Sequence, residues 1–256
     1  GVLTNGLGII RAIEFYDKDY FSAHPEIERF KKTDAPDEDK SVGAARLLLP
    51  ILKDFFRKHP LINPKTFLGD SAFDSIEIYK ALLSGNTFGF LPDGSARIFA
   101  SAYIPLKAGA KLTNPDYTVN NDGIPCCPKD PLLPMKPEGN TSHLRCGLKT
   151  FKFVCPKMSW DKCEDGKYRR VCHCDQPCTD SPGGRMVYIY PEKNLRLCPG
   201  AIRGTQEWES IYKIRTSVES SINHIQDSFC LGDHKTQNAK TLHADLLLAG
   251  ITQLIT

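Results

Sequence analysis

The chain has 256 residues, 41% of them hydrophobic and 25% charged. That length buries a full core as one large domain or two modest ones, and no run reaches the roughly eighteen apolar residues of a membrane span. The net charge of +3 is too small to mark a nucleic-acid-binding protein by itself. The chain opens on Gly1-Val2-Leu3 without a basic-then-apolar leader. The start of the protein is therefore expected upstream, and this stretch is expected to be soluble.

Gly1 to Thr4 and Leu7 to Tyr16 read as two strands joined at Asn5-Gly6, a strong hairpin signal. A polar loop rich in Asp and Lys runs on to about Lys40. From Gly43 to His59, Leu47, Leu48, Ile51 and Phe55 recur at helical spacing, with Pro50 predicting a kink or a later start. Thr66-Phe67-Leu68-Gly69 reads as a short buried strand ending at Asp70. Asp74-x-x-Glu77 reads as a capping box for the next helix, which Gly85 stops. Thr87 to Leu91 and Ala102 to Leu106 read as further strands.

Residues 107–204 change character. Pro, Lys, Cys and Gly accumulate, and strand-like runs remain at Thr150 to Val154 and Arg185 to Tyr190. Helix returns near Thr205 and again from Asn238. The order predicts an α/β fold with three divisions: a first part of the core over 1–106, a Cys-rich β insertion over 107–204, and helices over 205–256 that complete the core.

Charge and cysteine concentrate in the insertion. Residues 126–200 hold 13 basic and 8 acidic side chains, while the flanking segments are each slightly acidic. Lys149, Lys152, Lys167, Arg169 and Arg170 are the candidate phosphate contacts, the alternative being a solvated face. Nine of the ten cysteines lie between Cys126 and Cys198. The close spacing of Cys172, Cys174 and Cys178, preceded by Cys155, fits a structural zinc site better than disulfides or unliganded thiols.

Two carboxylates stand out for chemistry. On a helix over Glu207–Phe229, at roughly 100° per residue, Ile211, Ile214, Val218, Ile222, Ile225 and Phe229 form an apolar stripe. Tyr212, Arg215, Glu219 and Gln226 form a second stripe beside it, which places Glu219 at the core's edge. The plainer alternative is an amphipathic helix with an Arg215–Glu219 ion pair. Asp70 sits at the C-terminal end of a strand, where open α/β sheets place ligands. Two such carboxylates suit Mg²⁺, a hard cation that takes oxygen ligands.

Leu68-Gly69-Asp70-Ser71-Ala72-Phe73-Asp74-Ser75 resembles the second-aspartate motif of bacterial insertion-sequence DDE transposases. Tyr212-x2-Arg215-x3-Glu219-x6-Gln226 is similar to their Tyr-x2-Arg-x3-Glu-x6-Lys signature, and the tail with His243 resembles the helix that comes after it. The resemblance implies an RNase H-like mixed sheet flanked by helices, Mg²⁺ or Mn²⁺ as cofactor, and DNA strand cleavage and transfer during transposition. It implies DNA (transposon ends and target) and a second copy of the chain as partners, no membrane, and a bacterial cytoplasmic location. Asp70 and Glu219 carry over as the second and third catalytic carboxylates. Tyr212 and Arg215 carry over as residues that position phosphates. The signature Lys is Gln226 here, and the first catalytic Asp is expected upstream of Gly1, since Asp17 and Asp19 come after a later strand. A transposase-derived, zinc-stabilised DNA-binding protein without catalysis is the alternative.

Overall fold

A computed structural model describes residues 1–14, 16, 18–28, 40–110, 117–141, 149–228 and 238–255. Asp17, Cys146, Phe229 and Cys230 lie outside them. In chain order the elements begin with β1 (Val2–Thr4), β2 (Ile10–Ile13), α1 (Lys18–Ala23), α2 (Pro25–Glu28) and α3 (Lys40–Lys58). Next come β3 (Thr66–Leu68), a 3-10 turn (Ser71–Phe73), α4 (Ile76–Leu83) and β4 (Ser101–Tyr103). The Cys-rich segment contributes β5 (Lys136–Thr141), β6 (Thr150–Val154), β7 (Met158–Lys162), β8 (Tyr168–Cys172) and β9 (Met186–Ile189). The chain continues through α5 (Gln206–Tyr212), a second 3-10 turn (Lys213–Arg215), α6 (Thr216–Ser228) and α7 (Ala239–Ile255).

The architecture is mixed α/β with small sheets, and two compact units divide it. One comprises residues 1–63, 86–97 and 210–256, and the other residues 64–85 and 98–209. The division at 106/107 expected from composition does not coincide with these units, because β3, α4 and β4 group with the Cys-rich segment. Composition reports local character, whereas a compact unit reports which segments bury surface together.

In the first unit, β1 and β2 pair antiparallel with a bulge between Leu3 and Thr4. The Asn5-Gly6 signal holds, but through the Asn5 side chain. Its Oδ1 accepts from the N–H groups of Leu7 and Ile9, both at 3.0 Å. That delays the second strand to Ile10, later than the expected Leu7. Gly8 has φ +79°, and a Cβ there would stand 3.0 Å from the Ser221 hydroxyl and 3.2 Å from the Ser217 carbonyl. The Ser221 hydroxyl donates to the Gly8 carbonyl at 2.5 Å, so the hairpin lies directly on α6. Gln253 of α7 accepts from the Ile10 N–H at 3.3 Å, and Ile10, Ile225 and Ala249 bury together.

Helix α3 starts ten residues before Pro50 and runs through it. Leu48, Ile51, Leu52, Phe55 and Phe56 form its buried face. The ring of Phe56 carries the Arg97 guanidinium at 4.9 Å, and Arg97 donates to the carbonyls of Phe88 (2.9 Å) and Pro60 (2.5 Å). The strand expected over Thr87–Leu91 is instead a turn with one isolated bridge, Phe90 to Ala96. Gly89 and Gly94 both take positive φ there, which breaks an extended run. Helices α1 and α2 occupy part of the stretch expected as loop.

In the second unit, β3 and β4 pair in parallel, with Phe67 opposite Ala102. Helix α4 buries Ile78, Tyr79, Ala81, Leu82 and Leu83. The strands expected at Thr150–Val154 and Arg185–Tyr190 are present as β6 and β9, antiparallel neighbours in the three-stranded sheet β5-β6-β9. Every residue of β6 is buried, and Phe151 and Phe153 centre a cluster with Met135, Val187, Ile189 and Leu197. Strands β7 and β8 form a separate hairpin. The Cys-rich segment thus has a hydrocarbon core of its own.

Candidate functional site

Asp70 stands at the end of β3, as expected. It caps the 3-10 turn, its Oδ1 accepting from the Ala72 N–H at 2.7 Å, and it is exposed. Gly69 is needed beside it. A Cβ at that position would lie 2.8 Å from the rings of both Phe67 and Phe73. The Gly-Asp pair therefore lets two aromatic rings close under a carboxylate that faces outward.

The capping role expected for Asp74 is overturned. Ser75 is the N-cap of α4, its hydroxyl accepting from the Ile78 N–H at 3.3 Å. Asp74 turns inward and accepts from Arg196 twice, at 2.8 and 2.5 Å, from the Lys107 N–H at 2.8 Å and from the Tyr79 hydroxyl at 3.2 Å. Arg203 extends the network to Tyr79 and to the Ile104 and Arg196 carbonyls. Burial alone pushes the Asp74 carboxyl up. The hydrogen bonds from Arg196 and Lys107, with the charges of Arg196 and Arg203, outweigh it and hold the group below the usual carboxylate range. Arg196 had no signal in the sequence, because its partner lies 122 residues away.

The helix carrying Glu219 is not continuous. The 3-10 turn at Lys213–Arg215 advances three residues by about 120° each instead of 100°, rotating α6 by about 60° relative to a continuous helix. Ile214 is consequently 41% exposed, whereas Ile225 is buried as expected. The Glu219 side chain is 53% exposed, further out than the expected core edge. Tyr212, Arg215 and Glu219 nevertheless come together. Arg215 Nη2 meets Glu219 Oε1 at 2.8 Å, and its guanidinium lies 5.5 Å from the centre of the Tyr212 ring. Arg215 Nε is buried with no hydrogen-bond partner among the described residues. Gln226 is exposed two turns further along α6. Asp70 belongs to one unit and this trio to the other, Tyr212 ending α5, which crosses the boundary.

The candidate phosphate contacts divide into two groups. Lys152 is buried and pairs with Glu138, which also binds Arg170 at 2.5 Å. Arg170 further stacks on Trp160 at 4.7 Å, and Arg169 pairs with Asp165 at 2.6 Å. Burial would push the Glu138 carboxyl up, but the Lys152 hydrogen bond and the Arg170 charge bring it below its ordinary value. Three of the five cations are thus committed to carboxylates, and two of those hold strands together. Lys149 and Lys167 are exposed.

Of the expected zinc ligands, Cys155 and Cys172 come together, with sulfurs 3.7 Å apart. Cys178 interacts electrostatically with both, and with Cys127, which the sequence did not single out. The Cys174 thiol donates to the Gln176 carbonyl at 3.4 Å. His173 engages Ser159 (2.8 Å) and Asp161 (2.9 Å). Among the described residues, no group of three or more His, Cys, Asp or Glu side chains is arranged to hold a metal ion.

A cleft of about 450 Å³ in the second unit is lined by Ser101, Tyr103, Lys149, Phe151 and Trp208. One of about 360 Å³ in the first unit is lined by Glu14, Asp19, Tyr20, Lys240 and His243. No helix among the described residues is long and apolar enough to cross a membrane. No protein-family model, curated protein or solved structure matches the chain.

Proposed function

We propose that the chain is the catalytic part of a DDE transposase with an RNase H-like core, cutting and joining DNA with Mg²⁺ or Mn²⁺ held by Asp70 and Glu219. The observation that carries this reading is the Tyr212-Arg215-Glu219 cluster. Arg215 binds the carboxylate through Nη2 beside the Tyr212 ring, and its buried Nε has no hydrogen-bond partner among the described residues. A guanidinium shared in this way suits a phosphate beside a metal-binding carboxylate.

The split between Asp70 and Asp74 adds support. Asp74 is spent on a buried structural pair, which leaves Asp70 as the exposed carboxylate of the motif. Both candidate ligands are carboxylates, the donors a hard divalent cation prefers, and in phosphoryl transfer such ions activate the attacking oxygen and stabilise the leaving one. Asp70 is held by the Ala72 N–H, Glu219 by Arg215, and Tyr212 supports the guanidinium from its ring face. DNA and a second copy of the chain are the partners this reading requires.

A non-catalytic DNA-binding descendant is the second reading, favoured by Gln226 where the signature carries Lys. One assay separates them. Mg²⁺-dependent cleavage of DNA by the protein containing this chain is expected to fall more than about a hundredfold in Glu219→Gln, beyond the loss from disturbing a ligand's supporting partner. DNA affinity should change little. DNA binding without cleavage in the parent protein would favour the second reading.

A further inference from the structure

We propose that the outward face of β9 and the β7-β8 hairpin beside it form a stacking surface for single-stranded DNA, with Trp160, Tyr188 and Tyr190 meeting bases and Lys162 and Lys193 meeting phosphates. The choice of DNA rests on the proposed function. The surface itself lies wholly in the second unit and is separate from Glu219.

Strand alternation sets the face. Val187 and Ile189 of β9 point inward to the cluster with Phe151 and Phe153, so Met186 and Tyr188 point outward. Tyr190 continues the same period just past the strand, and all three are exposed. The rings of Tyr188 and Tyr190 stack, with centroids 6.4 Å apart and planes inclined by 29°. On the hairpin Trp160 pairs with Arg170 and Lys162 with Tyr168, which places these four on one face. Arg170 joins the two surfaces. Its guanidinium lies 4.7 Å from the centre of the Trp160 ring, and its Nη1 donates to Met186 Sδ at 3.5 Å. The row therefore runs from Trp160 across Arg170 and Met186 to Tyr188 and Tyr190.

The chemistry of the row points to its ligand. Each ring has a cation beside it: Arg170 on Trp160, Lys152 opposite Tyr188 in register, and Lys193 Nζ at 5.6 Å from the centre of the Tyr190 ring. Glu138 answers both Lys152 and Arg170 with a single charge, so positive charge is left over beneath the rings. Rings interleaved with cations suit a single strand, whose bases stack on aromatic faces while the cations follow its phosphates. A duplex keeps its base faces inside its own stack, so this surface selects unpaired DNA. A protein-docking patch is depleted of charge at its core. Here the Arg170 guanidinium sits in the middle of the row.

The backbone beneath the rings is fixed. Val154, Cys155 and Met158 bury together where the hairpin meets the sheet. The Cys155 N–H donates to the Arg185 carbonyl (2.9 Å) and the Cys172 N–H to the Pro182 carbonyl (2.8 Å), which docks the hairpin on the segment leading into β9. Gly184 allows the close approach. It has φ +75°, and a Cβ there would stand 2.9 Å from Cys155 Cβ. Aromatic rings held in place before a ligand arrives lose little conformational freedom on binding it.

The test is binding of a labelled oligothymidylate of about twelve nucleotides by the full chain, against a duplex of the same length at the same salt. The single strand should bind more tightly and quench tryptophan emission. Trp160→Phe should abolish the quenching, because the other tryptophan, Trp208, is buried. Tyr188→Leu and Tyr190→Leu should each weaken binding by about five- to a hundredfold, one lost stacking contact, whereas Tyr188→Phe keeps the ring and the affinity. Lys193→Ala should lower the slope of log affinity against log salt by about 0.7. Equal or tighter binding of the duplex, tighter binding of oligouridylate, no binding of any oligonucleotide, or folded tyrosine variants that bind like the parent would overturn the proposal. Circular dichroism of each variant shows whether it is folded. If Tyr188→Leu is not, Trp160→Leu is read in its place with the same loss expected. Duplex cleavage and its loss in Glu219→Gln are scored separately, so the stacking surface and the catalytic reading fail independently.

Discussion

The two compact units each contain an arginine–carboxylate pair, and the pairs serve opposite ends. Arg215 and Glu219 are four residues apart on an exposed helical surface, the carboxylate side chain 53% exposed. Arg196 and Asp74 are 122 residues apart, with the Asp74 side chain fully buried. An exposed helical pair contributes about 0.3–0.5 kcal/mol, whereas breaking a buried one costs about 3–5 kcal/mol because the surviving charge is stranded. The buried pair builds the fold. The exposed pair contributes little stability and leaves its groups available to a ligand.

Stability measurements can break that contrast. Asp74→Ala or Arg196→Ala should lose about 3–5 kcal/mol by denaturant unfolding, while Arg215→Ala should lose under about 1 kcal/mol. Equal losses would erase the distinction. The acid limb sharpens it. The folded Asp74 pKa lies below the unfolded one, so its contribution is complete above about pH 4, the usual carboxylate value. It disappears as pH falls through the lower folded value. Asp74→Asn should remove this part of the pH dependence, and Glu219→Gln should retain it.

Gly8→Ala should cost about 1–3 kcal/mol, since a non-glycine residue at positive φ is strained and its Cβ presses on Ser217 and Ser221. That loss would loosen the hairpin from α6 without touching Asp74. The smallest effect concerns DNA. Lys167→Ala should lower the slope of log affinity against log salt by about 0.9 if Lys167 meets a phosphate. Arg170→Ala instead exposes Glu138 and uncovers Trp160, so it should lower stability.

What was legible in the sequence was local. Asn5-Gly6, the β3 strand that leads to Asp70 and the i, i+3, i+7 grouping of Tyr212, Arg215 and Glu219 depend on neighbours a few residues away, and each appears. The 3-10 turn at Lys213–Arg215 was invisible because its residues suit an α-helix equally well. Asp74 was misassigned because Asp-x-x-Glu fits a capping box, while its true partner arrives from a distant loop.

The proposed transposase reading requires Asp70 and Glu219 to bind divalent metal, as a two-metal site does. Mn²⁺ titration monitored by electron paramagnetic resonance tests it through a double-mutant cycle. Asp70→Asn and Glu219→Gln should each weaken Mn²⁺ binding, and the double variant should lose little more than either single variant, the non-additivity expected of residues acting on one ligand. Independent, additive losses, or unchanged binding in both single variants, would contradict the account.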